Sequence, residues 1–263
     1  MTSKVIVVRL IGGLGNQLFQ LQYATKMQKQ LGVKLMVDTS FLDASSKAHE
    51  SLAVGELIKN YQFHQLSWFD LKIKRTLERF FTKLGLQVPC WLKPIFHFES
   101  TSRSVTSMSS LVIDGFWQNA SNLDEEFVAK LREQLNLCEQ SILPGDRICV
   151  HIRRGDYLTN RHWLVKQQAV APLTYYEKAF FKFRADLTNP HFDIYTDDEP
   201  WAIQAFKHEK DVSVIPSSSL KPFELLAKMA SYQNFVIANS TLSWWAAVAA
   251  RASEKIVILP KDW

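Results

Sequence analysis

The chain has 263 residues, 47% of them apolar and 22% charged, with a formal net charge of +5. That describes a folded soluble protein with core enough for one large domain or two of ordinary size. No segment approaches the roughly 20 apolar residues that span a bilayer, and the mild positive charge favours an anionic ligand without identifying nucleic acid.

The first elements read as strand, glycine-rich turn, helix, strand. Lys4–Leu10 is a β-branched, apolar run of the kind expected for a fully buried parallel strand. Ile11-Gly12-Gly13-Leu14-Gly15-Asn16 is the turn. Leu18, Leu21, Ala24, Met27 and Leu31 recur at helical spacing through Gln17–Leu31, and Gly32 is placed to close that helix. Lys34–Val37 is the next strand. A helical middle follows over Ser67–Leu86. Within it basic residues crowd 72–83, which reads either as a basic amphipathic helix against anionic lipid or as a helix with a solvated face. Leu111–Phe116 reads as a strand and Leu123–Leu137 as a helix.

Pro144-Gly145 punctuates the chain, predicting domains at 1–144 and 145–263. The alternation then restarts. Strands are predicted at Arg147–Ile152, Phe192–Tyr195, Val212–Ile215, Phe235–Ala238 and Lys255–Leu259. Helices are predicted at Thr174–Leu187, Pro200–Lys207, Pro222–Ser231 and Leu242–Ala252. Strands alternating with helices in this way predict an α/β fold, in two units of parallel sheet covered by helices.

Cys90, Cys138 and Cys149 are odd in number and widely spaced, so they form neither a metal pattern nor a disulfide framework. Cys149 falls inside a predicted buried strand, where a free thiol packs as a small hydrophobe. The apolar run Val5–Val8 is too short for a signal-peptide core, and the expected location is cytoplasmic. Without such a signal, the glycosylation patterns Asn119-Ala120-Ser121 and Asn239-Ser240-Thr241 read as chance matches.

Four segments carry chemistry, and each follows a predicted strand, where open α/β sheets bind their ligands. The turn Gly12–Gln17 lets backbone approach a ligand at a helix start, or simply makes a tight strand-to-helix turn. Its spacing is neither the dinucleotide fingerprint nor a P-loop, which disfavours an NAD-type oxidoreductase. In His151-Ile152-Arg153-Arg154-Gly155-Asp156-Tyr157, the paired guanidinium groups suit a diphosphate, because each binds two oxygens in a planar fork. One arginine is expected on phosphate and the other on Asp156 or a nearby carboxylate. His151 either contacts a nucleoside or sits satisfied in the core. Asp197 and Asp198 bind a ligand or cap the helix that begins near Pro200. Asn239-Ser240-Thr241-Leu242-Ser243 sets hydroxyls at a helix start, which is an anion site or a plain N-cap. Trp244-Trp245 after it suits packing between sheet and helix.

Taken in order, Gly12–Gln20, Asp114–Gln118, His151–Tyr157, Thr174–Tyr176, Tyr195–Asp198 and Asn239–Trp245 resemble the bacterial α-1,2-fucosyltransferases of glycosyltransferase family eleven. The resemblance implies two Rossmann-like domains facing a cleft, the GT-B arrangement, with donor binding mainly in the C-terminal half. It implies inverting transfer of L-fucose from GDP-fucose to the 2-hydroxyl of a galactose-type acceptor in a bacterial glycan. By the same resemblance, one arginine of the motif binds the β-phosphate, Arg153 in the first place and Arg154 in the second. Gly13, Asn16, Gln17, His151, Asp197, Asp198, Asn239, Ser240, Thr241 and Ser243 bind the donor, and Phe116, Trp117 and Gln118 contact the acceptor. Phe116–Asn119 departs from the family, where a tyrosine and then serine are more frequent.

When a nucleotide-sugar bond breaks, negative charge grows on the β-phosphate, and a metal or fixed cations must stabilise it. Here arginines and a helix N-terminus are available, so metal-independent chemistry without a cofactor is expected, GDP-fucose being the co-substrate. Asp156 is the candidate to accept the acceptor proton, or to orient an arginine. A peripheral contact with the inner membrane through residues 72–83 is a further expectation, and no nucleic-acid partner is expected. The alternatives are another nucleotide-sugar glycosyltransferase, transfer of fucose to protein, or a non-catalytic nucleotide- or glycan-binding protein.

Overall fold

A computed structural model describes residues 5–43, 53–59, 62–63, 76–77, 80–81, 83–86, 96–98, 110–138, 142–159 and 170–261. The chain divides into two units, Met1–Lys130 and Leu131–Trp263.

The first unit starts with β1 (Val5–Arg9), in which Ile6, Val7 and Val8 are buried as an apolar run requires. Helix α1 (Leu14–Leu31) follows the glycine turn and ends at Gly32, whose left-handed φ of 61° lets its N–H donate to Gln28 O. Then come β2 (Lys34–Asp38), the short helices α2 (Ser40–Asp43) and α3 (Gly55–Ile58), β3 (Gln62–Phe63), β4 (Phe96–Phe98) and β5 (Ser110–Asp114). The sheet order is β3-β2-β1-β5-β4, with every neighbouring pair parallel. The strand predicted over Leu111–Phe116 stops at Asp114, because Gly115 (φ 154°) and Trp117 (φ 57°) turn the chain away. Most of the predicted basic helix over 72–83 lies outside the described residues. Among the described residues, no helix is long and apolar enough to cross a membrane.

Helix α4 (Glu125–Gln134) straddles the division between the units, which therefore falls before Pro144-Gly145. Its last turn goes with the second unit for a concrete reason. Arg132 donates from Nε to Ala249 O at 3.0 Å and from Nη2 to Val248 O at 3.2 Å.

The second unit runs β6 (Arg147–Ile152), α5 (Gly155–Thr159), α6 (Leu173–Asp186), β7 (His191–Thr196), α7 (Glu199–Ala205), β8 (Val212–Val214), α8 (Pro222–Ala230), β9 (Asn234–Val236), α9 (Thr241–Ala249) and β10 (Val257–Ile258). Its order is β10-β9-β6-β7-β8, again entirely parallel. From β6 the chain steps outward to β7 and β8, then returns to β9 on the opposite flank of β6. That reversal creates a topological switch point at the carboxyl ends of β6 and β9.

One layer of core is aromatic. Phe180 on α6 stacks on Phe192 of β7 with ring centres 4.1 Å apart, beside Phe183, Ile148 and Ile194. Cys149 is buried in β6 as its strand position predicts, and burial pushes its thiol pKa well up. The fully buried Asp193 of β7 is not left bare. Arg147 Nε donates to it at 2.8 Å and Tyr232 Oη at 2.9 Å, which compensates the desolvated charge.

Candidate active site

Register places the two arginines. Ile152 of β6 pairs with Thr196 of β7, and both strands end there. The next residues therefore match one to one, Arg153 beside Asp197 and Arg154 beside Asp198. Arg153 Nη1 lies 3.0 Å from Asp197 Oδ2. Arg154 donates its backbone N–H to Asp197 Oδ1 at 2.8 Å and its Nε to Asp198 Oδ2 at 3.1 Å. Both arginines are thus braced by carboxylates of the adjacent strand end. The side chain of Asp156 lies outside the described residues.

Gly155 opens α5 against this bracket. A Cβ there would lie 2.6 Å from Asp197 Oδ2, so the sequence must carry glycine for the aspartate to reach both arginines. Two residues further on, Tyr157 sets its ring 5.7 Å from the Arg153 guanidinium and donates its hydroxyl to Asn239 O at 3.0 Å. That bond joins α5, which follows β6, to the turn after β9, the two sides of the switch point. Asp198 caps a helix, as one reading of its position expects, and also braces an arginine. Its Oδ2 holds Arg154, and its Oδ1 accepts the Trp201 N–H at 3.3 Å, capping α7. Pro200 sits in the first turn of that helix, where a missing N–H costs nothing.

At the start of α9, Ser240 is the N-cap but its side chain makes no capping bond. The fully buried Ser243 donates its hydroxyl to Ser240 O at 3.0 Å, so it braces the turn from inside. Trp245 is fully buried and meets Trp244 edge to face at 5.1 Å, in keeping with packing.

In the first unit, Gly12 takes a φ of 73°, and a Cβ there would meet Asn16 Nδ2 at 2.5 Å. Two buried glutamines pin the turn. Gln17 donates to Gly12 O at 2.8 Å and accepts from Ala53 N, while Gln20 accepts from Ile11 N and donates to Gly115 O. Gly13 is the N-cap of α1, and its carbonyl accepts from Asn16 N and Gln17 N. Asn16 Oδ1 accepts from Gln118 Nε2 at 2.9 Å. Phe116 and Gln118 are exposed, whereas the Trp117 ring is buried in a parallel stack on Tyr23 with centres 4.0 Å apart. Arg9 ends β1 between the buried carboxylates that end β2 and β5, 3.9 Å from Asp38 and 3.5 Å from Asp114.

Over residues 49–263 the sequence matches the family model described as glycosyl transferase family 11. The chain belongs to that family. The O-antigen biosynthesis glycosyltransferase WbnK of Escherichia coli is 28% identical, over 97% of this chain and 93% of its own length. An alpha-1,2-colitosyltransferase of Escherichia coli is 29% identical, over 98% and 92%. Among solved structures, the fucosyltransferase NodZ from Bradyrhizobium is similar at a TM-score of 0.52 and 15% identity, covering 94% of this chain and 92% of that one. POFUT1 in complex with GDP is similar at a TM-score of 0.51 and 13% identity, covering 99% of each chain. These distant structures share the fold, and the α/β class expected from the sequence is the class observed.

In this family 11 glycosyltransferase, His151 lies beneath the arginine bracket, buried in β6. Its Nδ1 has no hydrogen-bond partner among the described residues. Burial, and then the charge of Arg153, push its pKa down from 6.5 to about 4 against the opposing pull of Asp197. The ring is therefore neutral near pH 7. The folded value lies below the unfolded one, so the unfolded chain binds the proton first as pH falls. The stability this ring contributes is complete above about pH 6.5 and is lost between there and about pH 4. Denaturant titrations at stepped pH are expected to show a loss on the order of 3 kcal/mol across that window that is absent in His151→Gln. Equal acid sensitivity in both proteins would exclude this assignment.

Two aromatic neighbours of the arginines, Tyr157 of the arginine motif and Trp201, have no role in the sequence reading. Tyr157 follows Arg153 at helical spacing, and Trp201 stands three residues after the capping Asp198. An aromatic one turn beyond each charged strand end was the available signal.

Proposed function

We propose that the second unit binds the diphosphate of a GDP-sugar at the β6–β9 switch point, and that the enzyme transfers the sugar with inversion to the 2-hydroxyl of a galactose-type acceptor. The acceptor belongs to a bacterial surface glycan of the O-antigen kind. GDP-fucose is the donor of first choice. The observation that carries this reading is the pair Arg153 and Arg154, fixed side by side at the carboxyl end of β6 by Asp197 and Asp198. The kinship with an O-antigen glycosyltransferase and an alpha-1,2-colitosyltransferase supports the glycan class and the linkage. The GDP in the POFUT1 complex is in keeping with the nucleotide.

The chemistry follows from the charges. The bond between the sugar's anomeric carbon and the β-phosphate oxygen breaks as the acceptor oxygen attacks from the opposite face. Negative charge accumulates on the diphosphate, and guanidinium groups already held in place stabilise it without reorganising. In this reading the arginines supply the positive charge, and no metal or cofactor is required. Asn239, Ser240 and Thr241 border the same switch point from β9.

Incubation with GDP-fucose and a panel of galactosides is expected to release GDP and yield an α-1,2-fucosyl product, read by NMR. Product formed only from GDP-colitose would replace the donor. Absence of GDP release with both donors would leave a binding protein and overturn the reading.

A further inference from the structure

Arg154 is held at three points. Its backbone N–H donates to Asp197 at 2.8 Å, its Nε donates to Asp198 at 3.1 Å, and its guanidinium carbon lies 3.8 Å from the centre of the Trp201 ring. A guanidinium that close to an indole face is a tight cation–π stack, well inside the ~6 Å reach of the interaction. The stack fixes the plane of the guanidinium, and the Nε bond fixes its rotation within that plane. The edge left over carries Nη1 and Nη2, and among the described residues neither nitrogen is bonded to an acceptor. Arg153 differs on both counts. Its Nη1 is taken by Asp197, and its aromatic neighbour Tyr157 is 5.7 Å away.

Trp201 is coupled to the arginine through a shared carboxylate as well. Asp198 caps α7 by accepting the Trp201 N–H, while its other oxygen takes Arg154 Nε. One side chain therefore sets both the cation and the helix that brings the ring over it.

We propose that Trp201 is a positioning residue for transfer. It locks the Arg154 guanidinium so that the Nη1–Nη2 edge receives the donor diphosphate as a two-pronged fork. The proposal rests on the reading that this unit binds a nucleotide diphosphate. The fork geometry matters because a bidentate anion contact needs the guanidinium plane aligned with two oxygens, and a freely turning side chain meets that condition only part of the time.

Trp201 also packs on the aromatic core, with Phe206 edge-on at 6.3 Å, so removing the ring disturbs more than one contact. Trp201→Leu keeps apolar bulk without a π face, and Trp201→Phe keeps a face. Calorimetric binding of GDP and of GMP separates the effects, because only GDP carries the second phosphate. The wild type is expected to prefer GDP to GMP. Trp201→Leu is expected to cut that preference by about fivefold to thirtyfold while leaving GMP affinity nearly unchanged, and Trp201→Phe to restore much of it. An unchanged preference in Trp201→Leu, or parallel loss of GDP and GMP binding, would overturn the positioning role. Failure of the wild type to prefer GDP would instead strike the diphosphate reading itself, and the proposal with it.

Discussion

Arg153→Ala is expected to lower kcat at saturating donor by about 10²–10³. The residue sits at the switch point, and Asp197 holds its Nη1 at 3.0 Å. A cation held in advance of the reaction needs no reorientation as charge develops on the departing diphosphate, which is why its loss falls on turnover. A flexible surface lysine at the same place would act in high dielectric and be worth far less. Substrate saturation matters to the measurement. If the guanidinium only helped the donor to bind, KM would rise while kcat held. A variant with near wild-type kcat would remove Arg153 from the mechanism and leave Arg154 as the principal cation. The melting temperature should move little, since the Arg153 side chain is partly exposed and lies outside the core.

Trp245→Ala is expected to do the opposite, costing stability of about 3–5 kcal/mol. Trp245 is fully buried and among the largest side chains so enclosed, whereas its neighbour Trp244 is only partly buried. Truncation removes the transfer energy of an indole and leaves a cavity that a close-packed interior closes only in part. Against a typical total of about 5–15 kcal/mol, that is a large fraction. Scanning calorimetry or circular dichroism should register a fall in melting temperature of roughly 10 °C or more, with a much smaller fall for Trp244→Ala. Similar shifts for both variants would mean that the edge-to-face pair, and not the burial of Trp245, carries the energy.

Much of the fold was legible before any coordinates. Val5–Val8 is a continuous apolar run, and Arg147–Ile152 and His191–Thr196 are largely apolar with a few buried polar residues, because both faces of a parallel sheet are covered. Helix α1 announces its end at Gly32, and α7 its start at Asp198. Other elements left no readable trace. Strand β3 has two residues and β4 three, too few for any period to show. The five residues of α5 follow the arginines directly, so their composition reads as a polar turn. Gln17 is expected among the donor-binding residues at a cleft, and Gln20 lies outside the apolar spacing of α1. Both are buried, because the glycine turn leaves backbone groups that only long amides reach.

By itself the sequence determined the alternation of strands and helices, and the placing of arginines, aspartates and hydroxyls just beyond strand ends. Both are local properties, set by side-chain period and by the residues that open and close helices. Which strand lies beside which, and in what register, was decided only by the tertiary structure. Parallel pairing joins segments far apart in the chain, and no local signal specifies the partner. The match of Ile152 to Thr196 is such a pairing. From it follow the one-to-one bracing of the two arginines by the two aspartates and the seating of Trp201 over one of them.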